Sequence, residues 1–312
     1  MKPFPALLSL IGMALFAVAL AVPGCDAGAP AVRDALRDAV RHANDTRKTP
    51  PRPPVIRPNA WTRLEPGLDI GVFDSPAADG AVTVVRANPD RFSLDILAAA
   101  EHESQSRTAR EWAGEFDLAA TINAGMFMDD QITSVGYMKH NGAVLSGRVV
   151  TSYRAALAFG PDDPSLPAVQ VIDADCQNYP ALRERYANVV QSLRMIDCRG
   201  ANVWEPRDKR HSQAAAGVDA SGNILFAFVR EPHSVHEFIE ALRALPLDIR
   251  NTMYLEGGAQ TSLFVSSGAL ALERVGVSDL FANTSAWPIP NVLGLRRKSS
   301  ARGASPSARS NP

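Results

Sequence analysis

The chain has 312 residues, with 32 Lys and Arg residues against 33 Asp and Glu residues. At roughly 150 residues per domain, this length predicts one or two domains. The net charge of -1 argues against a nucleic-acid partner, because nucleic-acid binders normally carry a strong basic excess. Three cysteines are too few for a four-thiolate zinc site or for a small fold held mainly by disulfides.

The N-terminus is predicted to be an export signal. Lys2 precedes an uncharged run over residues 6–22, which ends in a small-residue break just before Cys25. This order is typical of a secretory signal. The cysteine directly after the break resembles a bacterial lipoprotein signal, although Pro23 departs from that motif. We therefore predict a signal peptide over residues 1–24 and lipidation of Cys25, with an unlipidated cleaved signal and an uncleaved anchor as alternatives.

All three alternatives place the rest of the chain outside the cytoplasm, and the lipoprotein form predicts the bacterial periplasm. Residues 25–60 contain a short amphipathic pattern and a proline-rich stretch, which predict a tether with one helix and an extended spacer. Residues 296–312 are rich in Ser, Arg and Pro with almost nothing to bury, so we expect a disordered basic tail. These assignments leave a single predicted domain over residues 61–295.

Strand patterns dominate the predicted domain. Short runs rich in Val, Ile and Phe predict strands over residues 68–73, 82–87, 93–98, 119–123, 155–159, 168–172, 224–229, 252–255 and 262–265. Periodicity predicts helices over residues 108–116 and 234–245, and the second helix begins with a capping box of Ser234 and Glu237. Because strands outnumber helices and do not alternate with them, we expect an α+β fold of mixed or antiparallel sheets with a few packed helices.

Cys176 and Cys198 are the two cysteines that follow the predicted signal. In an oxidising compartment, two such thiols in one domain are expected to form a disulfide. A bridge that closes a loop of about 20 residues stabilises a fold by around 3 kcal/mol in the chain-entropy model. A Cys-His nucleophile is the alternative, but neither cysteine lies in a tight glycine-flanked turn.

A first segment with chemical character follows the strand predicted over residues 119–123. That strand ends in Asn123 and is followed by Gly125, so an amide and a flexible glycine lie where backbone can approach a ligand. Asp129 and Asp130 come shortly afterwards. These oxygen groups suit a divalent cation of the magnesium or calcium class, but we predict no cofactor and no resident metal. A strand end with a polar turn is the alternative interpretation.

A second segment follows the strand predicted over residues 252–255. Its residues of interest are Glu256, Gly257, Gly258, Gln260, Thr261 and Ser262. Such a tip places the glutamate over an open cleft, with backbone N–H groups nearby to hold an anion. An ordinary loop between two strands, with glycines at turn positions, is the alternative.

Together these segments resemble the phosphodiester glycosidase family. The resemblance rests on Asn123-Ala-Gly-Met-Phe127, on Val135-Gly136 with Asn141-Gly142, on the block Ala216–Val229, and on Leu255-Glu-Gly-Gly258 with Thr261-Ser262. Many members of the family have Arg-Thr-Ala ahead of the middle block, whereas this chain has no arginine in register there. Arg210 or His211 would then have to bind the phosphate. The family's usual Asp is Glu256 here, and one added methylene can displace a reacting oxygen by about an ångström.

The resemblance implies hydrolysis of a sugar 1-phosphodiester at the anomeric carbon. We expect Glu256 to supply the reacting carboxylate, with Asp129 or Asp130 as a second acidic group. The residues implied to orient sugar and phosphate oxygens are Asn123, Gly257, Gly258, Gln260, Thr261 and Ser262. The expected partners are a carbohydrate phosphodiester and, through the lipid, a membrane. A non-catalytic envelope protein that binds a surface glycan through the same cleft is the alternative, and the oligomeric state is not indicated.

Overall fold

The computed structural model describes residues 52–277 and 284–299. The predicted signal peptide, the lipidation at Cys25 and most of the tether lie outside the described residues, as does the tail beyond residue 299. Among the described residues, no helix combines the length and the apolar character needed to cross a membrane.

The described residues form sixteen strands, three α-helices and one short 3-10 helix, Ala99–Glu101. The helices are α1 (Ala109–Glu115), α2 (Tyr179–Glu184) and α3 (Val235–Ala244). The strands are β1 (Ala60–Glu65), β2 (Leu68–Asp74), β3 (Ala81–Ala87), β4 (Phe92–Ala98), β5 (Leu118–Asn123), β6 (Met138–His140), β7 (Ala143–Ser146), β8 (Arg154–Pro161), β9 (Val169–Asp173), β10 (Tyr186–Ile196), β11 (His211–Asp219), β12 (Ile224–His233), β13 (Ile249–Gly257), β14 (Ser262–Ser267), β15 (Leu270–Val275) and β16 (Asn291–Arg297).

These strands form two sheets. Nine strands of the larger sheet follow the order β1-β2-β3-β12-β11-β13-β10-β6-β7, and β8 and β9 extend it from β10. The smaller sheet has the order β15-β14-β5-β16-β4. Every pairing between these named strands is antiparallel. The strand-rich α+β prediction is confirmed in its antiparallel form, and β16 extends two residues past the predicted domain boundary at residue 295.

The main core lies between the two sheets. It contains Ile70, Phe226 and Leu255 of the larger sheet together with Ile122 and Leu293 of the smaller one, all fully buried. Alternate positions of these strands face inward, as expected when one face of a sheet packs on another. This packing brings the end of β5 against the end of β13, where the two chemical segments of the sequence lie.

Helices cover the outer faces of both sheets. On α1, Trp112 is fully buried, and its indole N–H donates to the Ile289 carbonyl at 3.0 Å. On α3, Phe238 and Leu242 pack against the outer face of the larger sheet. Ser234 and Glu237 form the predicted capping box, in which each side chain accepts a hydrogen bond from the other residue's backbone N–H. The sequence pattern therefore predicted the start of α3 correctly.

Cys176 and Cys198 are joined in a disulfide, as predicted, at a sequence separation of 22 residues. Replacing both with Ser is expected to lower the free energy of unfolding by about 3 kcal/mol, because the unfolded chain loses a constraint on its loop entropy. Urea denaturation with and without a reductant measures this effect. The reductant should destabilise the wild type and leave the double variant unchanged; equal responses would contradict the prediction.

Candidate active site

Glu256 lies at a β-bulge near the end of β13. In the pairing with β11, Ala214 is opposite Glu256 while Ala215 is opposite Tyr254, so β13 carries one extra residue at this point. A bulge of this kind breaks the regular alternation of side chains and redirects the residue at the break. The carboxyl group of Glu256 thereby leaves the strict inward and outward pattern of the strand.

The carboxyl group of Glu256 is buried, and few polar groups of the protein replace the water that it loses. The residue is 8% exposed, and its Oε1 accepts one hydrogen bond, of 2.9 Å, from the backbone N–H of Gly257. Within residues 52–277 and 284–299 it has no ion-pair partner. Burial raises the pKa of Glu256 to about 7, against the opposing effect of the Gly257 N–H. A carboxyl group with this pKa exchanges protons readily at neutral pH, as general acids and bases must.

Two tyrosines lie within electrostatic reach of Glu256. Burial raises the pKa of Tyr254, and the charge of Glu256 adds to the effect. Burial also raises the pKa of Tyr153; the nearby Arg148 opposes this, and Glu256 again contributes. Both phenols therefore stay protonated at neutral pH and can donate hydrogen bonds near the carboxyl group.

Gly257 is a point of close approach. A Cβ atom at this position would lie 2.0 Å from Tyr254 Oη and 2.5 Å from His211 Cε1. Only the absence of a side chain lets the tyrosine hydroxyl and the imidazole ring stand against the backbone beside Glu256. Nδ1 of His211 lies 2.9 Å from the Ser212 carbonyl, and it donates a hydrogen bond there in the Nδ1–H tautomer.

Asn123 joins the end of β5 to the loop that follows Glu256. Its Nδ2 donates to the Gln260 carbonyl at 3.0 Å, and its Oδ1 accepts the Ser262 N–H at 2.8 Å. The two segments singled out in the sequence therefore meet. Because both ends of its amide are bonded to this loop, Asn123 positions the loop, and its predicted role at the reaction centre, to orient sugar or phosphate oxygens, stays a prediction.

The backbone N–H groups of Gly257 and Gly258 already form hydrogen bonds within the protein. The Gly257 N–H bonds to the Glu256 side chain, and the Gly258 N–H donates to the Ser212 carbonyl at 2.8 Å. The expected anion site at these N–H groups is therefore not open in this arrangement. In contrast, the hydroxyl oxygens of Thr261 and Ser262 are buried without a hydrogen-bond partner among the described residues. Such atoms are normally satisfied, so these two hydroxyl groups are unusual in this arrangement, and their predicted contact with a substrate stays a prediction.

The two acidic residues of the first segment have different surroundings. Asp130 caps its own turn, accepting the N–H groups of Ile132 and Thr133 at 2.9 and 2.8 Å and the Thr133 hydroxyl at 2.5 Å. These bonds, led by the Thr133 hydroxyl, lower the pKa of Asp130. Asp129 is exposed and makes no hydrogen bond or ion pair with the described residues. Neither carboxylate bonds to the loop that follows Glu256. The side-chain oxygens of Asn123 and Asp130, considered from the sequence as ligands for a divalent cation, accept hydrogen bonds from groups of the protein.

The two predicted anion-binding residues also separate. Arg210 forms an ion pair with Glu237, the capping residue of α3, whereas His211 lies beside Gly257 and lines a cavity. This first cavity has a volume of about 250 Å³ and is also lined by Tyr254, Trp204 and Met126. Met126 belongs to the Asn123–Phe127 motif and Tyr254 precedes Glu256 on β13, so both segments border this cavity, although Glu256 itself does not line it.

A second cavity of about 310 Å³ lies beside the first, and Tyr153, Arg154 and Arg194 contribute to its lining. Both cavities share Leu193, Trp204, Glu205 and Arg207. Of these, Trp204 and Arg207 were not expected to be functional residues, and neither was Lys209, which lines the first cavity. The sequence feature that could have indicated these residues is the charge density of residues 205–210, where five of six residues are charged directly ahead of β11.

Asn123→Ala is expected to lower the free energy of unfolding by about 1–3 kcal/mol, because the Ser262 N–H and the Gln260 carbonyl each lose a buried partner. Chemical denaturation measures this loss. A variant as stable as the wild type would contradict the role of Asn123 in holding the loop.

Comparison with known proteins places these segments in a wider context. A family model described as phosphodiester glycosidase matches residues 116–296, more than half of the chain, and includes both Asn123 and Glu256. A hypothetical protein from Synechocystis has a similar structure, with a TM-score of 0.57 and 16% sequence identity, over 78% of this chain and 64% of that one. The catalytic domain of zebrafish N-acetylglucosamine-1-phosphodiester alpha-N-acetylglucosaminidase, auto-inhibited by its pro-peptide, is also similar. It has a TM-score of 0.56 and 12% identity, over 76% of this chain and 86% of that domain. No match is found among curated protein sequences.

Proposed function

Because the chain belongs to the phosphodiester glycosidase family, we propose that it hydrolyses a sugar 1-phosphodiester at the anomeric carbon, with Glu256 as the reacting carboxyl group. The observation that carries this proposal is the state of Glu256. It is buried, without an ion pair among the described residues, with a pKa of about 7, inside the matched region. Carboxylates with a purely structural role are normally paired or fully hydrogen-bonded, so a catalytic role is the best explanation for the buried carboxyl group of Glu256.

The proposed reaction breaks the bond between the anomeric carbon and the phosphate oxygen. Water supplies the hydroxyl group that replaces it, and the carboxylate of Glu256 takes the proton of that water. The phosphomonoester leaves readily because its oxygen is a weak base, so the demand for a strong general acid is lower than in ordinary glycoside hydrolysis. Thr261 and Ser262 are the proposed donors to the sugar or phosphate oxygens, and Gln260 is held nearby by the Asn123 amide.

Of the two candidates for the second acidic group, Asp129 and Asp130, we propose Asp129. The carboxylate oxygens of Asp130 accept hydrogen bonds within the turn over residues 130–133, whereas Asp129 bonds to none of the described residues. We keep Asp129 as a proposed second carboxylate that approaches the substrate from the solvent side. His211, which lines the first cavity, is the proposed residue for the anion, since Arg210 is engaged by Glu237.

The proposal includes a location outside the cytoplasm. The Cys176–Cys198 disulfide supports an oxidising compartment, and the signal pattern that ends at Cys25 supports a lipid-anchored form in the periplasm. The substrate would then be a glycan or glycolipid of the cell envelope. Labelling the expressed protein with a radioactive fatty acid, with Cys25→Ser as the control, tests the anchor. Label retained by Cys25→Ser would contradict it.

Hydrolysis of defined substrates tests the proposed reaction. The purified chain should release free sugar from the methyl phosphodiester of N-acetylglucosamine 1-phosphate, chosen because the zebrafish relative's name specifies that sugar, or from matched diesters of other sugars. In water enriched with oxygen-18, the methyl phosphate product should carry no label, because the carbon–oxygen bond breaks. Label in the methyl phosphate would indicate cleavage at phosphorus, and no release across the panel would favour a non-catalytic glycan-binding protein.

A further inference from the structure

A third cavity lies at one end of the core between the two sheets, where the edge strand β15 of the smaller sheet meets β2, β3 and β12 of the larger one. Its volume is about 260 Å³, and it shares no lining residue with the first and second cavities. Its charged lining residues are Arg230 and Glu231 of β12 and Arg274 of β15. The reaction proposed above uses none of these three residues.

Both arginines stand at positions that face the core. On β12, Phe228 belongs to the core between the sheets, and Arg230 is the next residue on the same face. On β15, Leu272 packs against that core, and Arg274 is again the next residue on its face. A cation at such a position is costly unless an anion neutralises it.

The charge of Arg274 is not neutralised by the described residues. Its Nε donates to the Thr83 hydroxyl at 3.4 Å, and it forms no ion pair within residues 52–277 and 284–299. Burial lowers the pKa of Arg274, and the charge of Arg230 adds to this effect while that of Glu231 opposes it. Among the residues that line the cavity, two guanidinium groups stand against one carboxylate, so the cavity favours an anion.

Arg230 is held in place beside Arg274. Its Nη1 donates to the carbonyl of Val275, the residue after Arg274, and its own carbonyl accepts the Ser212 hydroxyl. A guanidinium group offers several donors in one plane, which suits the oxygens of a tetrahedral oxyanion. Fixing such a group before the ligand arrives reduces the entropy lost on binding.

Glu231 makes the cavity selective among anions. Its side chain stands against Gly80, which has a φ of +111°, and a Cβ atom at that position would lie 2.6 Å from Glu231 Oε2. Oε2 accepts the Ala81 N–H at 3.4 Å, whereas Oε1 accepts no hydrogen bond from the described residues. An ionised carboxylate can only accept hydrogen bonds. An anion beside it is therefore favoured if it carries a hydrogen of its own, as hydrogen phosphate does at neutral pH and sulfate does not.

We propose that the third cavity binds inorganic phosphate, with Arg274 and the neighbouring Arg230 on its charged oxygens and Glu231 on its O–H group. The site is separate from the loop that follows Glu256, and this inference does not rest on the proposed function. Phosphate is preferred to sulfate because only phosphate satisfies the carboxylate. A phosphate monoester that has lost its last O–H is disfavoured for the same reason.

Calorimetric titration of the purified chain at pH 8 and constant ionic strength tests this inference. Inorganic phosphate should bind to the wild type with a Kd at least about tenfold lower than that of sulfate or of methyl phosphate, which is mostly the dianion at this pH. Arg274→Gln should raise the Kd for phosphate by about tenfold or more, because a charged hydrogen-bond donor is lost. Glu231→Gln, whose amide can donate, should bring the Kd values for sulfate and phosphate to within about threefold.

Arg250→Gln is the matched control, since Arg250 is an exposed arginine of β13 that does not line the third cavity. It should leave the Kd for phosphate within about twofold of the wild type, and circular dichroism should show that the variants fold. No binding of phosphate by the wild type, or equal effects of Arg274→Gln and Arg250→Gln, would overturn this inference. Equal affinity of the wild type for phosphate and sulfate would overturn it as well. These titrations involve no hydrolysis, so a failure of the proposed function would leave their outcome unchanged.

Discussion

Glu256→Gln is expected to lower kcat for a sugar 1-phosphodiester at least a hundredfold with little change in KM. The amide has nearly the shape of the acid and still accepts the Gly257 N–H, but it cannot take a proton from water. Removing a positioned general base or acid typically costs between about a hundredfold and about ten-thousandfold in rate. Steady-state kinetics at pH 8, where the wild-type carboxyl group is mostly ionised, measures the loss.

Glu115→Gln is a suitable control for this experiment. Glu115 is an exposed carboxylate at the end of α1, paired with Arg107 and outside both cavities. Exposed ion pairs contribute little to stability, so this variant should remain folded and active. If Glu256→Gln retained nearly full activity while Asp129→Asn lost it, the reacting carboxyl group would be Asp129, and the assignment to Glu256 would be wrong.

Glu256→Gln is also expected to gain stability relative to the wild type as the pH rises from 4.5 to above 7. Burial raises the pKa of Glu256 from 4.5 to about 7, so the folded state holds the proton more tightly than the unfolded state does. The contribution of Glu256 to the stability of the wild type is therefore largest below about pH 4.5. It falls as the pH rises through about 7 and is constant above that. At about 1.4 kcal/mol per unit of pKa, the loss amounts to about 3 kcal/mol. The uncharged amide of the Glu256→Gln variant carries no such penalty.

Urea denaturation of both proteins at pH 4.5 and at pH 8.5 measures this effect. The free energy of unfolding of Glu256→Gln should gain about 3 kcal/mol on the wild type between the two values of pH, whatever the constant offset between them. A gain in stability with a loss of activity is the usual pattern for a strained catalytic group. A difference that is independent of pH would mean that Glu256 titrates normally in the folded protein.

Much of the fold could be predicted because its signals are local. The apolar face of α3 and the capping box of Ser234 and Glu237 depend only on residues three or four apart, so the sequence shows them directly. In contrast, β10 carries buried polar residues such as Gln191 and Ser192, which hide its strand pattern. Gln191 is buried because it bonds to both the N–H and the carbonyl of Val150, a tertiary partner that the sequence does not reveal.

The site could be predicted in part for a related reason. The meeting of Asn123 with the loop after Glu256 was implied by a family resemblance, and the hydrogen bonds to Gln260 and Ser262 now show how it is made. The bulge that redirects Glu256 depends on the pairing of β13 with β11, which no local pattern reveals. The sequence also predicts Asp130 as a site residue, and its bond to Thr133, a turn partner three residues later, becomes apparent only in the structure.

The wall of the cavities could not be predicted, because it depends on where the loop between β10 and β11, residues 197–210, is held. Trp204 becomes a wall residue only through the Arg194 carbonyl, ten residues earlier in the chain but on the strand beneath it. Arg207 differs from its neighbours Arg194 and Arg210 in having no ion-pair partner among the described residues. This difference becomes visible only in the fold, where Arg194 pairs with Asp173 and Asp175 and Arg210 pairs with Glu237. A run of charges in a sequence does not show which of them remain unpaired in the fold.

A direct titration of the Glu256 carboxyl group tests the central claim. Protein labelled with carbon-13 at the glutamate side chains gives one carboxyl resonance per glutamate, and the signal missing from Glu256→Gln identifies that of Glu256. We expect this resonance to titrate with a midpoint of about 7, well above the ordinary glutamate value of 4.5. A midpoint near the ordinary 4.5 would show a solvated carboxylate at this position and would contradict the account.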